Sequence, residues 1–275
     1  MSGESSVLRF EDVSLRFGDA PALDHVSFEL RAGETRVVYG VAGSGKTTLL
    51  KAALGLVTPD SGKIFVFGED VTNFDEAAWF RVRAQMGILF QEGGLFDSMT
   101  IAENVAYPLI NRQARGNGNS SAVGTPENPS DRVRETLRFV ELERTLDKFP
   151  AELSGGMRRR VGIARAIVTE PPLVLYDSPT AGLDPITANT IVNLILKERD
   201  MRDAASIMVT HRFQDGHLMA NFRYNPTNGQ FERLGADGRQ VTTQFFVMHE
   251  GRLVFAGTQA ELKASADPYI SKFAR

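Results

Sequence analysis

A glycine-rich segment at residues 40–48 constrains the fold of this chain more than any other feature. It stands between an apolar run at 36–39, which predicts a strand, and a run at 48–54 that favours a helix. Glycines let the backbone curl until successive N–H groups, together with the positive end of the helix, face one anion. The segment therefore predicts a phosphate-binding loop and a nucleoside triphosphate site. The residues expected to contact the nucleotide are Gly40, Ala42, Gly43, Ser44, Gly45, Lys46, Thr47 and Thr48.

Two side chains at the end of the loop carry the charge and the metal ligand that such a site needs. Lys46 is expected to reach the outer phosphates as a point charge, and the Thr47 hydroxyl to complete the coordination of Mg²⁺. A flexible turn of glycine and serine is the plain alternative. It is disfavoured because strand and helix signals stand on the correct sides of the loop.

The composition restricts the kinds of partner that the protein can bind and the cell compartment that suits it. The 275 residues carry a net charge of −3, which disfavours a nucleic-acid partner because duplex binding needs a basic surface. Cysteine is absent from the sequence, so disulfides and thiolate metal sites are excluded. No apolar run approaches the roughly 20 residues that span a bilayer. We therefore expect a cytosolic protein whose association with a membrane depends on a partner.

Apolar runs on both sides of the loop predict an α/β fold with a parallel sheet. The segments 7–17 and 22–30 alternate loosely between apolar and polar residues and predict two antiparallel strands. Further along, the apolar runs 173–176 and 206–210 suit buried parallel strands, with a helix from Pro185 to about Arg199 between them. This alternation places the carboxyl ends of the strands at one edge of the sheet, where ligands bind in such folds.

Two segments are interpreted as additions to a single domain that covers the whole chain. Residues 111–130 are rich in Asn, Gly, Ser and Pro, and predict a mobile loop. Residues 222–241 contain two turn clusters and predict an extra hairpin or two, before a closing hairpin within 244–257. A helix is expected at 131–145, and the arginines 158–160 are interpreted as the solvent-facing side of a later helix.

Several short motifs beyond the loop stand at distances that match one family. A Leu-Ser-Gly-Gly sequence, an apolar strand that ends in aspartate and a histidine after a second buried strand follow the loop in that order. Together with the loop they resemble the nucleotide-binding subunit of an ATP-binding-cassette (ABC) transporter, across nearly the whole chain. The matching residues are Phe17, Gln91, Leu153–Met157, Leu173–Asp177, Ala181–Asp184 and His211.

The resemblance implies a fold and a set of metal ligands. The fold would be the P-loop NTPase fold of the ABC ATPase type. It has a mixed central sheet, an N-terminal antiparallel β-subdomain and a helical subdomain, here at about 92–168. The cofactors would be ATP and Mg²⁺. Asp177 and Gln91 would hold the metal together with Thr47, and Gln91, between the two subdomains, would also belong to the catalytic set.

The resemblance also implies that two subunits share each site. In the family, Ser154, Gly155 and Gly156 would present a hydroxyl and N–H donors to the γ-phosphate held by a second subunit, which requires a homodimer. His211 would contact the γ-phosphate from the first subunit. Phe17 sits where the family keeps an aromatic residue that stacks on adenine.

Ser178 departs from the family at a catalytic position. The family has a glutamate there, directly after the magnesium aspartate, which orients or deprotonates the attacking water. Serine has no basic carboxylate, and loss of a positioned general base typically costs ~10²–10⁴-fold in rate. One reading is that the subunit binds ATP and closes, with slow or partner-dependent turnover. The other is that a different group, His211 or a carboxylate from elsewhere in the protein, positions the water through Ser178. We expect ATPase activity that is retained but reduced.

Within the family, residues 92–109 resemble the Mla-type lipid transport ATPases. Met157, residues 184–187 and the tail at 267–270 are similar to the same branch. This resemblance implies a homodimer at the cytoplasmic face of the inner membrane, beneath a pair of integral membrane permease subunits. An MCE-type lipid-binding protein would be a further partner, and the cargo would be phospholipid moving between the membranes of a diderm bacterium.

Three other functions compete with lipid transport. The chain could serve a different importer or exporter of the same family. An ATP-gated regulatory module without useful turnover is supported by Ser178. A cassette protein acting on DNA or ribosomes fits poorly, since such relatives usually carry tandem cassettes or long coiled-coil insertions and this chain has neither.

Overall fold

The structure, a computed structural model, describes residues 6–115, 129–234 and 243–274 of the chain. The strands are β1 (Ser6–Phe17), β2 (Ala20–Arg31), β3 (Thr35–Tyr39), β4 (Ser61–Val66), β5 (Glu69–Asp70), β6 (Met86–Leu89), β7 (Leu173–Asp177), β8 (Ala205–Val209), β9 (Phe222–Asn225), β10 (Gln230–Arg233), β11 (Thr243–His249) and β12 (Arg252–Gly257). The α-helices are α1 (Lys46–Ala53), α2 (Glu76–Arg83), α3 (Ile101–Arg115), α4 (Pro129–Phe139), α5 (Gly155–Ile167), α6 (Pro185–Arg202), α7 (Phe213–Asn221) and α8 (Gln259–Ala264).

A six-stranded sheet in the order β12-β11-β3-β8-β7-β6 forms the centre of the fold. Its strands run parallel from β11 to β6, and only β12 in this sheet is antiparallel, which confirms the predicted mixed sheet. Every residue of β3, β7 and β8 is buried, because apolar clusters cover both faces of these strands. The parallel strands therefore end together at one edge, as expected.

An antiparallel sheet in the order β2-β1-β4-β5 contains the two strands predicted at the start of the chain. The loose alternation in β1 has a physical cause, since its register against β2 shifts between Phe10 and Val13. Asp12 lies within this bulge with a positive φ of 52°. The extra residue lets Phe10 and Val13 both point into the core, although they are three positions apart.

Three helices, α3, α4 and α5, lie between residues 92 and 168 and pack on one another. The prediction for 111–130 was wrong at both ends, because α3 continues to Arg115 and α4 already begins at Pro129. The remainder of that predicted loop, 116–128, lies outside the described residues. The helix expected at 131–145 ends at Phe139, and Glu141, two residues later, adopts a left-handed φ of 61°.

The segment at 222–233 folds as an added hairpin. β9 and β10 pair antiparallel, and the backbone N–H of Tyr224 donates to the Asp200 carboxylate at 2.6 Å, which fastens the hairpin to α6. Residues 235–241 of the predicted segment lie outside the described residues. The closing hairpin of β11 and β12 is present as predicted, and its turn is formed by Glu250 and Gly251, both with positive φ.

Glu198 on α6 is a carboxylate held in the core beside Arg202. It is 2% exposed, and burial raises its pKa from the ordinary 4.5 to about 7, while Arg202 lowers it. The folded protein therefore holds this proton more tightly than the unfolded chain, so the stability due to neutral Glu198 is present below pH 4.5 and is lost as the pH rises through 7. Glu198→Gln is expected to raise the free energy of unfolding by about 2–3 kcal/mol near pH 8, and by almost nothing at the acid end.

Urea unfolding curves of both proteins across this pH range measure the difference. Glu135→Gln is the matched control, because Glu135 is an exposed carboxylate on α4 that pairs with Arg132 at 3.1 Å. Its effect on the free energy of unfolding should be small, as for other exposed ion pairs. A stability difference for Glu198→Gln that stays constant across the range would contradict the prediction.

Candidate active site

The glycine-rich loop connects the end of β3 to the start of α1, as predicted. A side chain at Gly45 would collide with the backbone carbonyl of Ala22, and Gly45 and Gly43 adopt positive φ values of 102° and 78°. A Cβ at Gly40 would lie 2.6 Å from the Met248 carbonyl oxygen. The glycines are therefore required both by the curl of the loop and by the strands that pack behind it.

Lys46, the first residue of α1, reaches back over this loop. Its Nζ donates to the Val41 carbonyl at 2.7 Å and to the Ser44 hydroxyl at 3.2 Å. Burial lowers the pKa of Lys46, and the Asp177 carboxylate opposes that effect. The ammonium group thus stands at the mouth of the curled backbone, where an anion on the loop would meet it.

The loop forms one wall of an open cavity of about 830 Å³. The site residues predicted from the sequence that line this cavity are Phe17, Gly40, Ala42, Gly43, Gly45, Lys46, Thr47, Thr48, Gln91, Ser178 and His211. Ser44 and Asp177, two further predicted residues, are buried and accept hydrogen bonds from side chains that line the cavity. The structure therefore gathers residues from five distant parts of the sequence around one cavity.

Thr47 and Asp177 form the part of the site that fits a magnesium ion. The Thr47 hydroxyl donates to one carboxylate oxygen of Asp177 at 3.2 Å, so two hard oxygen ligands converge at the base of the cavity, which Gln91 also lines. The described residues contain no group of three or more His, Cys, Asp or Glu side chains arranged to hold a metal ion. That sparse ligand set suits Mg²⁺, which keeps waters and takes phosphate oxygens as ligands.

Ser178 follows Asp177 at the end of β7 and lines the cavity. Its hydroxyl donates to the second carboxylate oxygen of Asp177 at 3.1 Å, and its N–H donates to the Val209 carbonyl at 3.0 Å. The residue adopts a positive φ of 49°, which a non-glycine residue seldom does. The serine hydroxyl is therefore engaged with Asp177, and it supplies no basic group to the cavity.

Asp215 is a residue near the site that the sequence reasoning missed. It is fully buried, and one carboxylate oxygen accepts from the hydroxyls of Thr180 at 2.5 Å and Thr210 at 2.6 Å. Thr180 comes two residues after Ser178, and Thr210 directly precedes His211. Burial raises the pKa of Asp215, and the two threonine hydroxyls oppose that effect. Asp215 thus fixes the chain segments after β7 and β8 relative to each other.

The predicted signature residues lie away from this cavity. Ser154 caps α5 by accepting from the Met157 N–H at 3.2 Å, and both Ser154 and Gly155 are exposed. Gly156 packs so closely on Thr187 that a side chain there would collide with it. The same chain therefore does not bring its signature residues to its own phosphate loop, and the helix end with its free N–H groups faces outward.

The expectation that arginines 158–160 form the solvent-facing side of a helix was wrong, because none of the three is exposed. Arg159 is buried and donates to the carbonyls of Phe90 at 3.4 Å and Ala181 at 3.1 Å. Arg165, also buried, donates to the carbonyls of residues 93 and 94 at 2.8 Å and 2.7 Å. Since Phe90 directly precedes Gln91, these two side chains tie α5 to the segment that carries the glutamine.

The chain is similar in sequence to one family of known proteins. Residues 23–181 match the sequence profile of the ABC transporter family. The chain is 32% identical over its full length to the chloroplast protein trigalactosyldiacylglycerol 3 of Arabidopsis thaliana, of which it covers 75%. It is 37% identical, over 83% of its length, to a methionine import ATP-binding protein of Rhodococcus jostii, of which it covers 66%. The chain spans about half to three quarters of the curated relatives it matches.

A solved structure agrees with these sequence matches. A dimeric ATP-binding cassette in a post-hydrolysis state, bound to ADP and phosphate, superposes with a TM-score of 0.71 at 26% identity. The match covers 91% of this chain and 98% of that chain.

Proposed function

Because this chain belongs to the ABC transporter family and is an ATPase that uses ATP with Mg²⁺, we propose that it powers the transport of phospholipid between bacterial membranes. It would work as a homodimer at the cytoplasmic face of the inner membrane, beneath a pair of permease subunits. An MCE-type lipid-binding protein would receive or deliver the lipid. No helix in the described ranges is long and apolar enough to cross a bilayer.

One observation carries the choice of lipid. The relative that aligns with the whole chain has a name that refers to a diacylglycerol lipid, and its match includes segments outside the family profile. The resemblance of residues 92–109 and of the tail at 267–270 to Mla-type ATPases points the same way. Methionine import is the second candidate, because a relative named for it is 37% identical over 234 residues.

The phosphate loop supplies the binding energy in this proposal. The triphosphate would take the hydrogen bonds of the loop N–H groups, and Lys46 would exchange its bonds to Val41 and Ser44 for charge-assisted bonds to phosphate oxygens. Phe17 is 56% exposed at the end of β1, where its ring is free to stack on the base. Mg²⁺, when bound, neutralises charge on the phosphate oxygens beside Thr47 and Asp177.

The site lacks the carboxylate that would activate the water attacking the γ-phosphate. Ser178 faces the cavity without a carboxylate, so the water near the γ-phosphate would depend on other cavity-lining acceptors, of which His211 and Gln91 are two. Asp215 would position it indirectly by holding Thr210, the residue before it. We therefore propose slow turnover, with His211 and Gln91 orienting the water.

Closure of the dimer would connect the cavity to the permease. The exposed residues Ser154 and Gly155 would meet the triphosphate held by the other subunit, so ATP would join the two surfaces and release of phosphate would part them. Within one subunit, Arg159 links α5 to the segment around Gln91 and to Ala181. A change at the γ-phosphate would thus reach the helices at 92–168 through short polar contacts.

Lipid transport is tested on the complex isolated from its native membrane. We expect phospholipid to be enriched in the complex over the bulk membrane by mass spectrometry, and a fluorescent phospholipid to leave proteoliposomes only with ATP. A complex that carries the substitution Lys46→Ala serves as the matched control, and should retain lipid without moving it. Movement of methionine but not of phospholipid under the same conditions would overturn the proposal in favour of the second candidate.

A further inference from the structure

The segment that follows α8 is anchored behind the phosphate loop. Asp267 accepts hydrogen bonds from the N–H groups of Tyr269 at 2.7 Å and Ile270 at 3.1 Å, which hold the start of a short 3-10 turn at Ile270–Phe273. Ile270 and Phe273 are buried. The ring of Phe273 stacks on that of Tyr39, with centroids 5.8 Å apart and an interplanar angle of 12°. Since Tyr39 is the last residue of β3, this tail packs against the strand from which the loop departs.

Tyr269 extends this contact into the loop itself. Its hydroxyl donates to the Met248 carbonyl at 2.9 Å and accepts from the Val41 N–H at 3.3 Å. The Met248 carbonyl is one of two groups, with the Ser44 hydroxyl, that approach Gly40 so closely that a side chain there is excluded. One hydroxyl thus joins β11 to the first peptide of the loop.

Val41 is held from both sides. Its N–H donates to Tyr269, and its carbonyl accepts from Lys46, the cation that would bind the outer phosphates. The side chain of Val41 is 47% exposed and adds little packing of its own. The Val41 carbonyl also accepts from the Ser44 N–H at 3.2 Å, so the peptide groups of Val41 are positioned by three hydrogen bonds more than by burial.

We propose that Tyr269 is a positioning residue for nucleotide binding, through which the tail at 267–273 sets the affinity of the phosphate loop. A loop that is already curled loses less conformational entropy when a phosphate binds. Removal of the hydroxyl leaves the Val41 N–H without its partner, so the start of the loop samples more conformations. The inference rests on ATP binding at this cavity and is independent of the transported substrate.

Tyr269→Phe tests the proposal, because the phenylalanine keeps the ring that packs against His249 and Phe273. We expect the dissociation constants of Mg-ATP and Mg-ADP, measured by calorimetry, to rise about three- to tenfold. The turnover rate at saturating ATP should stay nearly unchanged while KM rises. Amide exchange in the peptide that contains Val41 should accelerate, a local signature that a general loss of packing would not produce.

Two further variants make the result specific. Tyr224→Phe removes the same hydroxyl type from the added hairpin, and should leave nucleotide affinity unchanged. Asp267→Ala keeps Tyr269 but removes the two hydrogen bonds that hold the start of its turn, and should weaken nucleotide binding by a smaller factor. Nucleotide affinity that is unchanged or tighter in Tyr269→Phe, with a normal thermal unfolding curve, would overturn the proposal. If the wild-type protein itself bound no nucleotide, the assignment of this cavity as the nucleotide site would be refuted instead.

Discussion

Ser178→Glu is expected to raise the rate of ATP hydrolysis by ~10²-fold or more, within the ~10²–10⁴-fold range that a positioned general base contributes. Ser178 lines the cavity directly after Asp177, so a longer carboxylate side chain there can reach the water near the γ-phosphate. The unusual backbone conformation at φ 49° is already adopted by serine, so the substitution adds no new cost of that kind. Phosphate release by the purified dimer at saturating Mg-ATP measures the effect.

Ser178→Gln is the matched control, because it has the size of glutamate without the basic group. We expect its turnover to stay at the wild-type level or below. An equal rise for both variants would show that size matters and not basicity. Wild-type turnover that already equals that of Ser178→Glu would mean that another group, with His211 the first candidate, fully replaces the missing carboxylate.

The order of the main elements could be predicted because their signals are local. The buried strands β7 and β8 read as short apolar runs, and the glycines of the phosphate loop mark a turn that only they allow. α3 was missed although Thr100 and Glu103 form a reciprocal capping box, an S/T-x-x-E signal at its start. The polar sequence that follows, together with Pro108 within the helix, concealed the signal.

Other features depend on contacts that no local pattern encodes. α7 contains Gly216, which argues against a helix by propensity, yet a side chain there would collide with the Tyr39 hydroxyl. Arg159 looks like a surface residue within a run of charge, and its carbonyl partners come from segments 69 and 22 residues away. The same holds for Asp215, although its spacing of four residues after His211 offered a weak hint.

The predicted nucleotide site, in contrast, could be located from the sequence because its position follows from the order of the strands. Apart from Phe17 at the end of β1, the predicted residues that line the cavity lie at or after the carboxyl ends of β3, β6, β7 and β8. The topology of a parallel sheet therefore brings them together once the strands are recognised. The sequence alone could not predict the individual hydrogen bonds at that edge of the sheet. That Ser178 donates to Asp177, and that Tyr269 reaches Val41 from the tail, follow only from the folded arrangement.

Lys46→Ala is expected to weaken the binding of Mg-ATP by ~10²-fold or more and to reduce hydrolysis below detection. The substitution removes charge-assisted hydrogen bonds to the phosphates, each of which contributes about 1.5–3 kcal/mol, and a factor of ten corresponds to about 1.4 kcal/mol. In the nucleotide-free protein, Lys46 bonds to Val41 and Ser44 at the edge of the cavity, where water can replace it. We therefore expect thermal stability without nucleotide to change little, and calorimetry with Mg-ATP to lose its signal.

Lys51→Ala provides the control for this change, since Lys51 lies on the same helix and is exposed outside the cavity. Its affinity for Mg-ATP should equal that of the wild type, because it is placed away from the phosphates and its charge is screened by solvent. Stabilisation against thermal unfolding by ATP should also distinguish the two variants. ATP should raise the melting temperature of Lys51→Ala but not that of Lys46→Ala. Undiminished affinity in Lys46→Ala would mean that the curled loop before α1 does not hold the triphosphate, and the assignment of this cavity would be wrong.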